Sequence, residues 1–379
     1  MIQNYSQEVF SGNRLFDTCQ YQEDDPHFFL MGHSAQGEPM RIPVGEQMLS
    51  RHLLLLGGIG TGKSNAFHFL IRNVRSSLTD RDVAIIFDTK GDFYREFYQP
   101  GDVVISNDSR ASGGSGPDYW NLFGEISIDD RIEENILEIA KSFFSEKLAH
   151  TTQPFFPNAA KDLFGALLLH MVRSEQFKEM RNNQALRAAF DTFSVSAMKK
   201  ILQSHQDLKA MTSYIEDEKS GQTLGVVAEL QQMVREIFVG NFRKKGSLSM
   251  RQLVRQKGGR VIFVEYDLGI GAKFFVGIQN IDQIAAAYGQ DMAHSILSGF
   301  GTTLAFRVND AGSREYIKGL FGRNIKLQTY LSAVQNRGVS EQIREGFVVE
   351  DEDITNLPVG QAIIGAPGCQ PFRFQFKKY

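Results

Sequence analysis

The residues with the clearest chemical meaning form a glycine-rich stretch at positions 57 to 64, which ends in Lys63 and Ser64. In the pattern G-x-x-x-x-G-K-S, glycines let the backbone wrap closely around phosphates and present successive N–H donors at the start of a helix. The lysine then reaches the β and γ phosphates, and the serine hydroxyl holds Mg²⁺. This pattern predicts a P-loop that binds ATP with Mg²⁺. Its residues are Gly57, Gly58, Ile59, Gly60, Thr61, Gly62, Lys63, Ser64 and the adjacent Asn65.

The flanking sequence supplies the strand and the helix that a P-loop requires. Residues 51 to 56 read as a buried strand, and residues 64 to 77 have the apolar spacing of a helix. Alternation of further strands and helices favours an α/β, RecA-like P-loop fold with a mostly parallel sheet. The other predicted strands lie at residues 83–88, 103–105, 260–266, 273–279, 302–307 and 361–364, and residues 27–45 predict a small β-hairpin.

The pattern changes between about residues 126 and 234, where only helical spacing is found. We therefore expect an all-α domain inserted into the nucleotide-binding domain. The predicted division is residues 1–125 and 235–379 for the two parts of the nucleotide-binding domain, with the insertion at 126–234.

The composition is that of an ordinary soluble globular protein, with 42% hydrophobic and 22% charged residues. A formal net charge of −3 means that any nucleic-acid contact must come from a local basic patch. Only Cys19 and Cys369 are present, so neither a zinc site nor a disulfide framework is supported. No apolar run approaches the ~20 residues that span a bilayer. We expect a cytoplasmic chain without a membrane span.

A P-loop enzyme also needs a carboxylate at the end of a hydrophobic strand to anchor Mg²⁺, usually beside a glutamate that polarises water. Two predicted strands end in acids, one at Asp88 and the other at Glu265. Neither is part of an Asp-Glu pair. Each acid is a candidate catalytic residue, and each could equally be an acid that caps its strand.

Several segments resemble those of type IV coupling proteins, the hexameric ATPases that deliver DNA to conjugative secretion channels. The resemblance covers most of the chain after about Asp25. Residues 87–93 are similar to the Asp-x-Lys-Gly stretch of the family, and residues 119–123 to its aromatic-Asn segment. Residues 276–289 resemble the glutamine motif of the family, and residues 353–374 resemble its closing pattern.

This resemblance carries several implications. It makes Gln279 the residue that senses the γ-phosphate, with a catalytic role beside Lys63. It also implies a homohexamer that acts on single-stranded DNA or a relaxase–DNA complex, and that works with a type IV secretion apparatus at the cytoplasmic face of the inner membrane. The family usually carries an N-terminal membrane anchor, which is not found in this sequence.

One departure concerns the join at residues 268–272. The family places its Walker B strand, with an Asp-Glu pair, shortly before the glutamine motif. Here five residues separate two strand-like runs, whereas a parallel crossover takes about a dozen. Either the two runs form an antiparallel hairpin or a strand–helix unit is missing, and we expect the second. The chain is then either an ATP-driven DNA-translocating motor or a nucleotide-gated DNA-binding adaptor with little hydrolysis.

Basic residues between positions 235 and 260 are candidates for DNA binding, above all Arg243, Lys244 and Lys245. They would neutralise phosphates without reading sequence, although a solvated charged face explains the same pattern. Arg307 and Arg323 are candidates for an arginine finger supplied to a neighbouring subunit.

Overall fold

The computed structural model describes residues 3–88, 91–108, 118–264, 275–331 and 339–378. The strands are β1 Gln3–Ser11, β2 Pro26–His33, β3 Pro39–Gly45, β4 Leu53–Leu56, β5 Val83–Phe87, β6 Val103–Ile105, β7 Arg260–Val264, β8 Phe275–Ile278, β9 Thr302–Ala305, β10 Arg323–Leu331, β11 Val339–Phe347, β12 Gln361–Gly365 and β13 Phe372–Phe376. The α-helices are α1 Glu46–Leu49, α2 Lys63–Ser77, α3 Asp92–Phe97, α4 Ile132–His150, α5 Phe155–Arg173, α6 Asn183–Thr192, α7 Val195–Gln203, α8 Gly221–Ile237, α9 Met250–Gln256, α10 Asp282–Tyr288, α11 Gln290–Ser298, α12 Ala311–Phe321 and α13 Asp351–Thr355. Short 3-10 helices lie at Leu122–Glu125, Glu175–Met180, Lys209–Ile215 and Gly240–Arg243.

The chain divides into two compact units. The first unit is formed by Met1–Ser77 and Gly269–Tyr379, and the second by Leu78–Leu268. The second unit therefore contains every described helix between residues 126 and 234 together with three strands. The finer division of the chain at residues 126 and 234 stays a prediction.

The first unit is built on a seven-stranded sheet in the order β3-β2-β13-β12-β9-β4-β8. The P-loop strand β4 pairs in parallel with both β8 and β9. From β9 to β3 the pairs are antiparallel. For β2–β3 and β12–β13 this follows from the short turns that join the strands, because such turns cannot make a parallel crossover. The sheet is thus parallel where it carries the P-loop and antiparallel beyond it.

Strand β4 is buried on both faces of this sheet. Its four leucines have 0% exposure. Leu53 and Leu55 pack in one hydrophobic cluster, together with α2 and the strands β2, β3 and β13, and Leu54 and Leu56 pack in another, under α10, α11 and α12. Since successive side chains of a strand point to opposite faces, layers on both sides hold the P-loop strand in place.

A second sheet of the first unit has the order β1-β10-β11. Both of its pairs are antiparallel, and each extends over most of the length of its nine-residue strands.

In the second unit, β5 and β6 pair in parallel with β7, which lies between them. The helical part packs around α5, where twelve residues are buried. Aromatic contacts tie α5 to its neighbours, with the ring of Phe164 5.6 Å from that of Phe143 and 5.5 Å from that of Phe190. Within the described ranges, no helix has the length and apolar character needed to cross a membrane.

Candidate nucleotide-binding site

The start of the P-loop is fixed to the carboxyl ends of both strands that flank β4. The N–H of Gly57 donates to the carbonyl of Ile278, the last residue of β8 (3.2 Å). The N–H of Gly58 donates to the carbonyl of Arg307, two residues beyond β9 (2.8 Å). The loop therefore leaves the sheet in one direction set by three parallel strands.

Three glycines of the loop, Gly57, Gly60 and Gly62, occupy positions that disfavour a side chain. Gly60 and Gly62 have φ values of +73° and +108°, in the region that residues with a side chain rarely adopt. A Cβ on Gly57 would lie 2.6 Å from the Cβ of Phe306. The Thr61 hydroxyl closes the loop by donating to the carbonyl of Gly58 (2.9 Å). Ile59 lies at the loop tip with 83% exposure.

Lys63 is the first residue of α2, and its ammonium is held by the loop itself. Its Nζ donates to the carbonyls of Gly57 and Gly58, the latter at 2.7 Å. The side chain is half-buried, and this burial lowers the pKa of the ammonium. Ser64 is exposed at the second position of the helix. The Asn65 side chain donates to the carbonyl of Lys377 (2.8 Å), so this amide contacts the end of the chain.

Gln279 directly follows β8, whose last carbonyl accepts the Gly57 N–H. Its backbone N–H donates to Oε1 of Gln283 (3.0 Å), and the residue is exposed. The structure therefore brings Gln279 to the edge of the P-loop, next to Gly57 in the hydrogen-bonded sheet.

These residues fit a triphosphate with a divalent cation. The loop supplies backbone amides at the N-terminus of a fifteen-residue helix, and that end of a helix favours anions. Lys63 adds a positive charge. The loop glycines have no side chains that would keep phosphates away from the backbone N–H groups. The Ser64 hydroxyl supplies an oxygen ligand of the kind that Mg²⁺ prefers.

Of the two predicted carboxylates, Asp88 lies among the described residues and Glu265 does not. Asp88 is buried in the second unit, where its carboxylate accepts the N–H groups of Asp92 (3.2 Å) and Tyr94 (2.8 Å). It therefore caps α3, and a catalytic role for it stays a prediction. Glu265 and the join at 268–272 lie outside the described residues.

The predicted DNA-binding residues lie together at and just after the 3-10 helix Gly240–Arg243 of the second unit. Arg243, Lys244 and Lys245 are all exposed. The Lys244 ammonium donates to the hydroxyl of Tyr119 (3.1 Å) and to Oδ1 of Asn241 (2.9 Å), and it lies 4.5 Å from the centre of the tyrosine ring. Lys244 is thus held in place by an aromatic side chain that the basic pattern alone does not reveal.

The two arginine-finger candidates lie in different surroundings. The guanidinium of Arg323 pairs with Glu345 (3.0 Å) and lies 5.0 Å from the centre of the Phe347 ring. The backbone of Arg307 contacts the P-loop of its own chain. A finger role for either stays a prediction.

One residue that sequence reasoning gave no part in the site is Gly360. Its N–H donates to the carbonyl of Thr61 (2.9 Å). Gly360 and Thr61 are far apart along the chain, so no local spacing predicts their contact. The signal that the sequence offers is that Gly360 is a glycine in the closing pattern.

Comparison with known proteins is consistent with this geometry. A sequence model described as the DNA-binding domain of type IV secretion-system coupling proteins matches residues 39–270 and 267–374. Direct sequence comparison with curated proteins gives no match.

Solved structures of similar fold include the bacterial conjugative coupling protein TrwBdeltaN70 with sulphate, at 14% identity, a TM-score of 0.71, and coverage of 98% of this chain and 95% of that one. The plasmid coupling protein TrwB with the ATP analogue ADPNP is 15% identical, with a TM-score of 0.65 and the same coverage. TrwB with ADP and Mg²⁺ is 15% identical, with a TM-score of 0.63 and coverage of 89% and 87%.

The fold is therefore that of these P-loop proteins, and the sequence model extends over most of the chain. On that ground, the chain belongs to the family of type IV secretion-system coupling proteins.

Proposed function

We propose that the chain binds ATP with Mg²⁺ and acts as a subunit of a DNA-translocating motor, which couples a DNA substrate to a conjugative type IV secretion channel. The observation that carries the proposal is the P-loop, with its amides, Lys63 and Ser64 arranged at the start of α2. Solved relatives hold ADP with Mg²⁺ and a non-hydrolysable ATP analogue, which supports the same ligand here.

Each site residue has a definite task in this proposal. The loop amides and Lys63 neutralise the β and γ phosphates, and Ser64 holds the metal. Gln279, adjacent to Gly57, senses the γ-phosphate and reports its loss. Hydrolysis by such a site depends on positioning and charge more than on covalent chemistry. A loop that is already formed supplies this positioning for the phosphates.

Arg243, Lys244 and Lys245 are proposed to contact the phosphates of single-stranded DNA or of a relaxase–DNA complex. The family model is itself described as a DNA-binding domain. Work on DNA by such a motor implies a ring, and we propose a homohexamer at the cytoplasmic face of the inner membrane beside the secretion apparatus.

A second candidate function is a nucleotide-gated DNA-binding adaptor that hydrolyses little ATP. The observation in its favour is the place where the family model breaks, since its two matched segments meet at residues 267–270. This is the join that the sequence pattern predicts to be too short for a parallel crossover, and in the structure β7 and β8 belong to different sheets. Among the described strands, β8 is an edge strand of the seven-stranded sheet. The strand of an additional strand–helix unit could therefore pair with it. In this alternative, ATP binding is retained and hydrolysis is reduced.

Both candidates require nucleotide and DNA to be coupled, which an anisotropy titration tests. A fluorescent single-stranded oligonucleotide is titrated with the chain, with and without ATP and Mg²⁺. We expect the DNA affinity to differ between the two conditions, and the difference to vanish in Lys63→Ala. Equal DNA affinity with and without nucleotide would contradict the coupling, and no DNA binding at low salt would contradict the family role.

A further inference from the structure

The closing segment of the chain, residues 358–377, contacts the P-loop at two places. The N–H of Gly360 donates to the carbonyl of Thr61 (2.9 Å), and the side chain of Asn65 donates to the carbonyl of Lys377 (2.8 Å). The segment is also tied to itself, because the N–H of Phe376 donates to the carbonyl of Gly360 (2.9 Å). The two ends of this segment therefore hold the loop and the first turn of α2.

The hydrogen bond from Gly360 acts on the atoms that bind phosphate. The Thr61 carbonyl and the Gly62 N–H belong to one peptide unit, which is planar and trans. Fixing the carbonyl at 2.9 Å from Gly360 therefore fixes the direction of the Gly62 N–H, which is opposite to that of the carbonyl. Gly62 immediately precedes Lys63, at the helix start where amides meet the phosphates.

A side chain on Gly62 would meet the backbone of Gly360, and one on Gly360 would displace the end of the Gln375 side chain. A Cβ on Gly62 would lie 2.8 Å from the Cα of Gly360. A Cβ on Gly360 would lie 2.8 Å from Nε2 of Gln375, and that amide donates to the carbonyls of Val359 and Phe376 (both 3.2 Å). Gly360 also has a φ of +82°, which disfavours any residue with a side chain.

Aromatic packing makes the closing strand β13 part of the same support. The ring of Phe376 stacks on that of Phe306, with centroids 5.8 Å apart and planes 25° apart. The N–H of Phe306 donates to the carbonyl of Leu56, the last residue before the loop (2.7 Å). A shift of the closing segment would therefore displace residues on both sides of the P-loop.

We propose that the closing segment positions the P-loop for nucleotide, and that Gly360 is its positioning residue. The proposal rests on the proposed nucleotide site and adds an element that lies outside the P-loop pattern. Gly360 acts through Thr61 and Gly62. Its effect is on nucleotide affinity.

Gly360→Ala tests this proposal, with Gly368→Ala as the matched control. Both glycines lie in the closing segment with positive φ, +82° and +71°, but no atom lies within 4 Å of a Cβ added to Gly368. Each substitution therefore introduces backbone strain, and of the two glycines only Gly360 donates its backbone N–H to the P-loop. We expect Gly360→Ala to weaken ATP–Mg²⁺ binding at least tenfold, equivalent to about 1.4 kcal/mol, and Gly368→Ala to stay within about twofold. Calorimetric titration measures both affinities at a temperature where circular dichroism shows each variant folded.

Unchanged ATP affinity in Gly360→Ala would overturn the proposal, as would an equal loss in both glycine variants. Lys63→Ala in the same titration separates this failure from failure of the site. If Lys63→Ala binds weakly and Gly360→Ala binds normally, the site stands and the positioning role falls. If the unaltered chain binds no ATP, both fall.

A measurement on the unaltered chain covers the case in which Gly360→Ala does not fold. Coupling is reciprocal, so ATP with Mg²⁺ should slow amide hydrogen exchange in peptides that contain Gly360 and Phe376. Peptides from β11 serve as the control and should not change. Unaltered exchange of the closing segment at saturating ATP would overturn the proposal.

Discussion

Lys63 illustrates how much of the site depends on single residues. Its ammonium is already directed into the loop by the carbonyls of Gly57 and Gly58, so little side-chain ordering remains for ligand binding. A charge-assisted contact of this kind contributes on the order of 1.5–3 kcal/mol. Lys63→Ala should therefore lose ATP affinity by roughly ten- to hundredfold while keeping its unfolding midpoint, as measured by titration calorimetry and urea unfolding.

The control for this substitution is Lys141→Ala, which removes an exposed lysine from α4. It should bind ATP like the unaltered chain. Binding by Lys63→Ala within about twofold of the unaltered chain would contradict the P-loop assignment, because the expected contact is larger than that.

The burial of Lys63 also predicts how ATP binding depends on pH. Because burial lowers the pKa of Lys63, this lysine loses its proton at a lower pH than an exposed lysine. ATP affinity should therefore fall as the pH rises through that lowered pKa, while exposed lysines remain charged. Titrations between about pH 7 and about pH 10 measure this. Lys63→Ala should show no such fall, and an equal fall in both proteins would place the titrating group elsewhere.

At the residue scale, the sequence predicted the members of the P-loop but not their surroundings. Local spacing identifies Gly57 to Ser64, because the chemistry of that pattern lies within eight residues. The carbonyls of Ile278 and Arg307 and the N–H of Gly360 reach the loop from distant parts of the chain, and no local pattern reports them. An acid after a strand is ambiguous: the Asp88 carboxylate accepts N–H groups at the start of α3, and a catalytic role for it stays a prediction.

At the element scale, the short 3-10 helix Gly240–Arg243 and the residues after it present the proposed DNA contacts. On single-stranded DNA, each phosphate contact contributes about 0.7 to the slope of log affinity against log salt. Arg243→Ala and Lys245→Ala should each weaken binding of any single-stranded sequence and lower that slope by about 0.7. Anisotropy titrations at several salt concentrations measure the slope.

Lys209→Ala is the control for these variants, since it removes an exposed lysine from another 3-10 helix of the same unit. It should leave the slope unchanged. Equal slopes for Arg243→Ala, Lys245→Ala and the unaltered chain would mean that the basic residues form a solvated face. Lys244 is unsuitable for this test because its substitution also removes the contact with Tyr119.

The sequence predicted the strongly apolar elements and missed the polar ones. Strand β4 was found from a continuous apolar run, helix α2 from apolar periodicity, and the hairpin β2–β3 from its turn. Strand β11 was missed because its residues are mainly polar, and those described are largely exposed. Strand β13 alternates buried and half-buried residues, so its period of two was available as a signal.

At the scale of the whole molecule, the fold class was predictable and the direction of many strand pairs was not. A glycine loop between a strand and a helix, followed by alternating elements, predicts the parallel strands around β4. The antiparallel pairs β9–β12 and β13–β2 depend on which strands meet in space, and β13 reaches β2 from the other end of the chain. Local periodicity does not report which distant strands pair.

The family resemblance located the join at 268–272, and the family model breaks at the same place. Loss of a strand with an Asp-Glu pair would remove metal anchoring and water activation together. Loop amides, Lys63 and Ser64 would remain. The whole molecule should therefore bind ATP normally and turn it over slowly.

Steady-state ATPase activity, measured at saturating ATP with and without single-stranded DNA, tests this account most directly. A version with the strand–helix unit of the family inserted at residues 268–272 serves as the comparison. We predict that the present chain turns over far below the ~10 s⁻¹ typical of enzymes, with little stimulation by DNA, and that the restored version is faster and stimulated by DNA. A DNA-stimulated turnover of the present chain near ~10 s⁻¹ would contradict the account, because Glu265 or another carboxylate would then supply the hydrolytic function.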